Sequence, residues 1–159
     1  MNYIIREMKK SEIPLLDEFI YEAIFIPEGF EPPEKSVINA PEVQVYIENF
    51  GTEKDDYCLI TQAENGKVVG ASWVRILNDF GHIDDETPSL AISLYKEYRG
   101  HGLGTKMLRE LLAYLKNMGY QKTSLAVQKA NYALKMYKKL GYEIIDENEE
   151  EYIMVNYLN

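Results

Sequence analysis

The chain has 159 residues, 46% of them hydrophobic, which suits one folded domain spanning 1–159 with a sizeable core. Its 26 acidic and 17 basic side chains leave a formal net charge of -9; this excludes nucleic-acid binding through clustered Lys and Arg and favours cationic or amine partners. A single cysteine excludes an intramolecular disulfide, and two distant histidines without cysteine partners lack metal-ligand spacing, so no metal is expected.

In chain order, a strand is expected over 3–7. A helix follows after Ser11, where Ile13, Leu16, Phe19, Ile20 and Ala23 recur at helical spacing. No apolar segment here is long enough for a signal peptide or membrane span, so a cytoplasmic protein without a membrane partner is expected. Pro27 to Pro41 reads as a mobile loop carrying Glu28, Glu31 and Glu34, and a short helix is expected near Pro41. Two antiparallel strands, 57–63 and 67–76, are joined by Glu64-Asn65-Gly66, whose Asn-Gly pair signals a hairpin. Cys58 lies in the apolar run Tyr57-Cys58-Leu59-Ile60, where a buried thiol is expected rather than a nucleophile.

The strand Ser89 to Tyr95 leads through Arg99-Gly100-His101-Gly102-Leu103-Gly104 into a helix opening at Thr105, with Leu103, Met107, Leu108, Leu111, Leu112 and Leu115 on its inner face. Glycines let a backbone approach a bulky anion, and the N–H groups of a helix N-terminus point at it with the helix dipole behind them. A dinucleotide fingerprint fails because Gly100, Gly102 and Gly104 are evenly spaced, and a P-loop fails because Gly104-Thr105-Lys106 reverses the required order. A strand over 122–128, a helix over 131–140 and a terminal strand pair, 142–145 and 152–158, complete the pattern.

The spacing that fits is Arg-x-x-Gly-x-Gly at Arg99, Gly102 and Gly104, preceded by Ser93-Leu94-Tyr95-Lys96-Glu97-Tyr98. It resembles the acyl-CoA-binding loop of the GNAT N-acetyltransferase superfamily. A second block, Asn131-Tyr132-Ala133-Leu134-Lys135-Met136-Tyr137 followed by Leu140-Gly141-Tyr142, is similar to the same family's downstream signature. The resemblance implies an α/β fold: a mixed, mostly antiparallel sheet with a V-shaped split between two parallel strands, flanked by helices. It also implies acetyl-CoA as co-substrate and direct attack by a small-molecule or peptide amine on the thioester. The implied cofactor contacts are Leu94, Tyr95, Arg99, Gly100, His101, Gly102, Leu103, Gly104, Thr105, Asn131 and Tyr137. Tyr137 stands near the sulfur in that arrangement, where it would protonate the leaving thiolate, and the Leu94 N–H would meet the developing oxyanion.

Plainer roles compete at several of these positions. Asn131 suits a helix N-cap, Tyr137 shares a core face with Ala133, Leu134 and Leu140, Gly141 is a helix stop, and His101 is an exposed loop residue. Some relatives carry a carboxylate near the start of the strand before the loop. The nearest acids here are Asp84, Asp85 and Glu86, which either line the acceptor side or form a solvated loop, the reading preferred for at least two of them, with Glu86 the candidate base. Phe25, Phe30 and Trp73 are candidate aromatic walls for a cationic acceptor, with burial in the core the commoner role for such residues. A noncatalytic acyl-CoA-binding or sensing module is the main alternative, and a module recruiting a basic protein is the third. The apolar terminal segment Tyr152-Ile153-Met154-Val155 is the expected contact of a homodimer.

Overall fold

The computed structural model describes residues 2–77 and 82–158. Among them seven strands form one sheet in the order β1-β2-β3-β4-β5-β7-β6: β1 Tyr3–Glu7, β2 Tyr57–Ala63, β3 Val68–Arg75, β4 Ser89–Leu94, β5 Lys122–Gln128, β6 Tyr142–Glu147 and β7 Glu151–Tyr157. All neighbours are antiparallel except β4 and β5. This parallel pair shares one register position, Ser89 with Ser124, held by the Ser124 N–H bond to the Pro88 carbonyl at 3.0 Å. Beyond it the two strands separate, leaving the expected V-shaped split.

Side chains alternate across each strand, so the sheet buries both faces. One face packs α3 (Leu103–Asn117) and α4 (Leu134–Lys139) over Leu90, Val74, Leu125 and Met154. On α3, Leu103, Met107, Leu108, Leu111 and Leu115 are buried, each contributing about 1.5–3 kcal/mol through its removal from water. The other face packs α1 (Leu16–Ala23) and the short α2 (Pro41–Gln44) over Ile60, Ala71 and Trp73. Trp73 is fully buried and donates its indole N–H to the Tyr46 carbonyl at 3.0 Å, so it belongs to the core and not to an acceptor wall.

Several boundaries differ from expectation for local reasons. A 3-10 turn occupies Lys10–Leu15 and α1 starts only at Leu16, because Pro14 lacks the N–H that a continuous helix would use. The segment expected to be a mobile loop contains a 3-10 turn over Lys35–Asn39, and Tyr21 Oη donates to the Pro33 carbonyl. The segment 152–155 lies in β7, flanked on both sides by β5 and β6, and Ile153, Met154 and Val155 are buried. β7 therefore has no free strand edge. The Cys58 thiol is buried, and that burial pushes its pKa well above the usual thiol range. Among the described residues, no helix is long and apolar enough to cross a membrane.

Candidate active site

Backbone alternation sets the chemistry of the split. The Tyr95 N–H bonds the Val69 carbonyl at 3.0 Å, so Tyr95 spends its main chain on β3 and its neighbour Leu94 presents N–H and C=O to the other side. Ile92, two residues earlier, faces the same way. Neither Ile92 nor Leu94 has a register partner on β5. The Leu94 side chain is fixed by close approach to Gly70 on β3, where an added Cβ would lie 2.5 Å from Leu94 Cδ2 and 3.0 Å from the Ser93 carbonyl oxygen. Ile92 and Gly70 were missed at the sequence level: Ile92 sits inside an apolar strand run and Gly70 belongs to a different strand.

The loop after β4 reaches α3 through Gly100 and Gly102, with φ of 80° and 81°. A Cβ at either would meet nothing within 4 Å, so glycine is required there for its left-handed backbone and not for space. Gly102 caps α3 with no side-chain hydrogen bond, and the helix starts at Leu103. The N–H groups of Leu103, Gly104 and Thr105 therefore lack intrahelical partners and carry the positive end of a 15-residue helix dipole. Leu103 is buried beside Leu94 and Met107, so only its main chain is available to a ligand, while His101 is exposed. A Cβ on Gly104 would lie 3.6 Å from Met136 Sδ and 3.9 Å from Leu94 Cδ1. The start of α3, Met136 of α4 and the end of β4 thus converge above the split.

Arg99 does not project as a free fork. Its Nε donates to the Leu94 carbonyl at 2.9 Å, and Nη2 donates to the Glu22 carbonyl at 3.0 Å and lies 3.5 Å from the Glu22 carboxylate. It ties the end of β4 to the end of α1.

Asn131 and Tyr137 lie past the end of β5. Asn131 Oδ1 accepts from the Ala133 N–H at 2.9 Å, which stabilises the turn before α4; the helix starts at Leu134, three residues later than expected. Tyr137 is buried, its ring edge-on to Tyr142 with centroids 5.8 Å apart. Burial, with a smaller contribution from Tyr132, pushes its phenol up to about 12, so it remains protonated across the neutral range.

Glu86 is not brought to this place. It is exposed in the turn before β4, where the Asp84 carboxylate accepts from the Glu86 N–H and the Thr87 hydroxyl, both at 2.8 Å. Those bonds, the Thr87 one foremost, hold Asp84 below its ordinary value. The whole of β4, roughly 20 Å at about 3.3 Å per residue, separates Glu86 from the glycine loop. Glu86 instead borders an open cavity of about 430 Å³ with Lys54, Asp55, Tyr120 and Lys122.

A different acidic group stands by the loop. Asp17, Glu18, Tyr21 and Glu22 of α1 line a cavity of about 120 Å³ with Tyr95. Tyr95 packs on this face: its hydroxyl donates to Glu18 at 2.9 Å, its ring centroid is 5.1 Å from that of Phe19, and Lys67 Nζ lies 5.0 Å above it. Tyr95 is therefore on the α1 side of the sheet, away from the open N–H groups. The signal for this cavity was the run Asp17-Glu18-x-x-Tyr21-Glu22, one helical turn of acids beside a tyrosine. The acids of the proline-rich segment, Glu28, Glu31 and Glu34, are exposed, as is Phe30.

A family model for the acetyltransferase (GNAT) family matches residues 21–142, which include β4, the glycine loop, α3, β5 and α4. The chain belongs to the GNAT acetyltransferase family. This GNAT protein is an acyltransferase. It is 28% identical over 108 residues to a [ribosomal protein bS18]-alanine N-acetyltransferase of Haemophilus influenzae, covering 65% of this chain and 70% of that one. Two solved structures share its fold. One is the PaiA N-acetyltransferase of Thermoplasma acidophilum in complex with coenzyme A, with a TM-score of 0.72, 20% identity and 99% of each chain covered. The other is a GNAT-family acetyltransferase of Streptococcus pneumoniae, with a TM-score of 0.71, 20% identity, and 98% of this chain and 99% of that one covered.

Proposed function

We propose that this GNAT protein transfers an acetyl group from acetyl-CoA to a primary amine of a small molecule or peptide. The observation that carries the reading is the continuity of two open donor sets, the Ile92 and Leu94 N–H groups along the split and the uncapped first turn of α3 at its mouth. Strand N–H groups with no partner suit the amides of a pantetheine arm, and an uncapped helix start behind two left-handed glycines suits a pyrophosphate. The alanine N-acetyltransferase relative and the neighbour named with coenzyme A support the same cofactor and acceptor class.

When bound, acetyl-CoA supplies an activated acyl carbon. The chain aligns the amine with that carbon and stabilises the charge that develops. In this reading Leu94 presents a fixed N–H donor to the carbonyl oxygen, and Asn131, its Oδ1 occupied by the turn, offers Nδ2 to the cofactor. Tyr137, held protonated by burial, is the proton donor to the departing sulfur. An alkylammonium with a pKa of about 10.4 must lose a proton before it attacks. The carboxylates beside the loop are those of α1, so the proton leaves through that face and Glu86 has no part in it. Calorimetric titration with acetyl-CoA and free coenzyme A tests the cofactor, and thiol release across a panel of amines tests the reaction. Micromolar binding with turnover on at least one amine is expected, and failure to bind either cofactor form refutes the reading.

A further inference from the structure

Tyr137 stands on a helix too short to hold its own place. α4 has six residues, well below the length at which a helix is stable by itself, so ties to the sheet decide where its side chains stand. Asn156 of β7 supplies such a tie. It is 6% exposed and follows the buried Ile153, Met154 and Val155, at a position where an apolar side chain would be buried without the penalty of a polar one. Its Nδ2 donates to the carbonyl of Leu140, the C-cap of α4, at 2.9 Å, and that carbonyl has no partner within the helix. The Leu140 N–H in turn donates to the Met136 carbonyl at 3.1 Å and to the Tyr137 carbonyl at 3.2 Å. The Asn156 amide also presses on Gly141, where an added Cβ would lie 3.3 Å from Oδ1 and 3.4 Å from Nδ2. Tyr142, the register partner of Asn156 on β6, sets its ring edge-on to that of Tyr137.

We infer that Asn156 is a positioning residue for acyl transfer: its amide fixes the end of α4 and thereby the place of the Tyr137 phenol. β7 lies on the far side of β5 from the split, so Asn156 acts through the helix and not on the acyl group. A hydrogen bond is directional where apolar packing is not, and the bond to Leu140 sets where the helix end stops over the sheet. A phenol that must meet a departing sulfur needs that accuracy, since a misplacement of about 1 Å can slow a reaction about 100-fold. The inference rests on the reading of Tyr137 as the proton donor.

The test compares Asn156→Ala and Asn156→Asp with the wild type, alone and combined with Tyr137→Phe. NMR of the ligand-free protein carrying isotope-labelled tyrosine is the first readout. Asn156→Ala is expected to shift the ring signals of Tyr137, which are assigned by their loss in Tyr137→Phe, and unshifted signals overturn the inference. Thiol release from acetyl-CoA with n-butylamine is the second. Asn156→Ala is expected to lower kcat about tenfold with the acetyl-CoA KM within about twofold. In the Tyr137→Phe background the same substitution is expected to lower kcat by less than about twofold, because its effect passes through that phenol. Equal losses in the two backgrounds mean a structural role alone and overturn the inference. Asn156→Asp adds a pH signature, since a neutral carboxyl donates to the Leu140 carbonyl and a carboxylate repels it. Its kcat relative to wild type is expected to rise as the pH falls while that of Asn156→Ala stays level, and two level ratios overturn the inference. Wild-type kcat in Tyr137→Phe overturns the Tyr137 reading, whereas a slow Tyr137→Phe beside a fully active Asn156→Ala overturns this inference alone. Without turnover of n-butylamine, the ring signals decide.

Discussion

Arg99→Ala is expected to weaken the fold as well as the cofactor site. The substitution removes the 2.9 Å bond to the Leu94 carbonyl, the 3.0 Å bond to the Glu22 carbonyl and the 3.5 Å contact with the Glu22 carboxylate. A hydrogen bond to a charged group contributes about 1.5–3 kcal/mol when well protected. The Arg99 side chain is 34% exposed and that of Glu22 23%, so water can re-satisfy part of what is lost. A total near 2 kcal/mol follows, which lowers Tm by about 4–8 °C in a chain of this size. Trp73 is the only tryptophan and is fully buried, so its fluorescence reports urea unfolding of the core without a label. Acetyl-CoA titration of the same samples gives the second readout, with affinity expected to fall because the end of β4 and the loop lose their common anchor. Loss of affinity at an unchanged urea midpoint would refute the tie and leave Arg99 as a phosphate ligand alone.

Four further outcomes are expected. Gly102→Ala meets no atom but must hold a φ of 81°, so it costs about 1–2 kcal/mol locally and weakens acetyl-CoA binding, with calorimetry as the check and unchanged affinity as the contrary result. Arg75→Met strands the Asp56 carboxylate, whose side chain is fully buried at 3.0 Å from Arg75 Nη2. Urea unfolding should show a loss of about 3 kcal/mol, the low end for a broken buried pair, since Asp56 keeps the Gly51 and Glu53 N–H bonds. The Arg6 guanidinium bonds both oxygens of Glu12 and lowers its carboxyl from 4.5 to about 2; this stabilisation is complete above pH 4.5 and fades as the pH falls toward 2. Glu12→Gln should therefore be less stable than wild type at pH 7 and converge with it in acid, whereas a constant gap would contradict the linkage. Tyr137→Phe should lower kcat by about tenfold or more with acetyl-CoA affinity nearly unchanged, and unaltered turnover would remove Tyr137 from the chemistry.

What the sequence revealed was what lies close together in the chain. The run from Ser89 through the glycines to Leu115 carries its own strand, turn and helix signals within some 27 residues, and β4, the loop and α3 occur there, with α3 opening two residues early. The local role of the Asn131 side chain was readable for the same reason, since its Oδ1 accepts from the nearby Ala133 N–H, although it holds a turn before α4 and does not cap the helix itself. Contacts across long separations were not readable. The partner of Arg99 is 77 residues away, so the guanidinium looked free. The slot for Leu94 depends on Gly70 in a neighbouring strand. Glu86 became the candidate base because some relatives carry a carboxylate near the start of this strand, yet the length of β4 separates that start from the glycine loop and leaves the carboxylate at the far end. The apolar segment 152–155 suggested a dimer contact because sequence order does not reveal that β7 inserts between β5 and β6.

Glu22 belongs to both halves of the proposed site. Its carboxylate lines the α1 cavity, and its carboxylate and carbonyl both meet Arg99, which in turn holds the Leu94 carbonyl at the split. On the amine-acceptor reading, an ammonium approaching through the α1 face competes with Arg99 for that carboxylate, and an anion at the start of α3 competes with Glu22 for the guanidinium. Each ligand therefore weakens the contact that the other must loosen, and linkage requires the effect to be mutual. Acceptor and cofactor are expected to bind with positive coupling that depends on Glu22. Measuring coenzyme A affinity with and without saturating butylammonium, in the wild type and in Glu22→Gln, isolates that coupling from the affinity of either ligand alone. Equal coupling in the two proteins would mean that the halves communicate by another route or not at all.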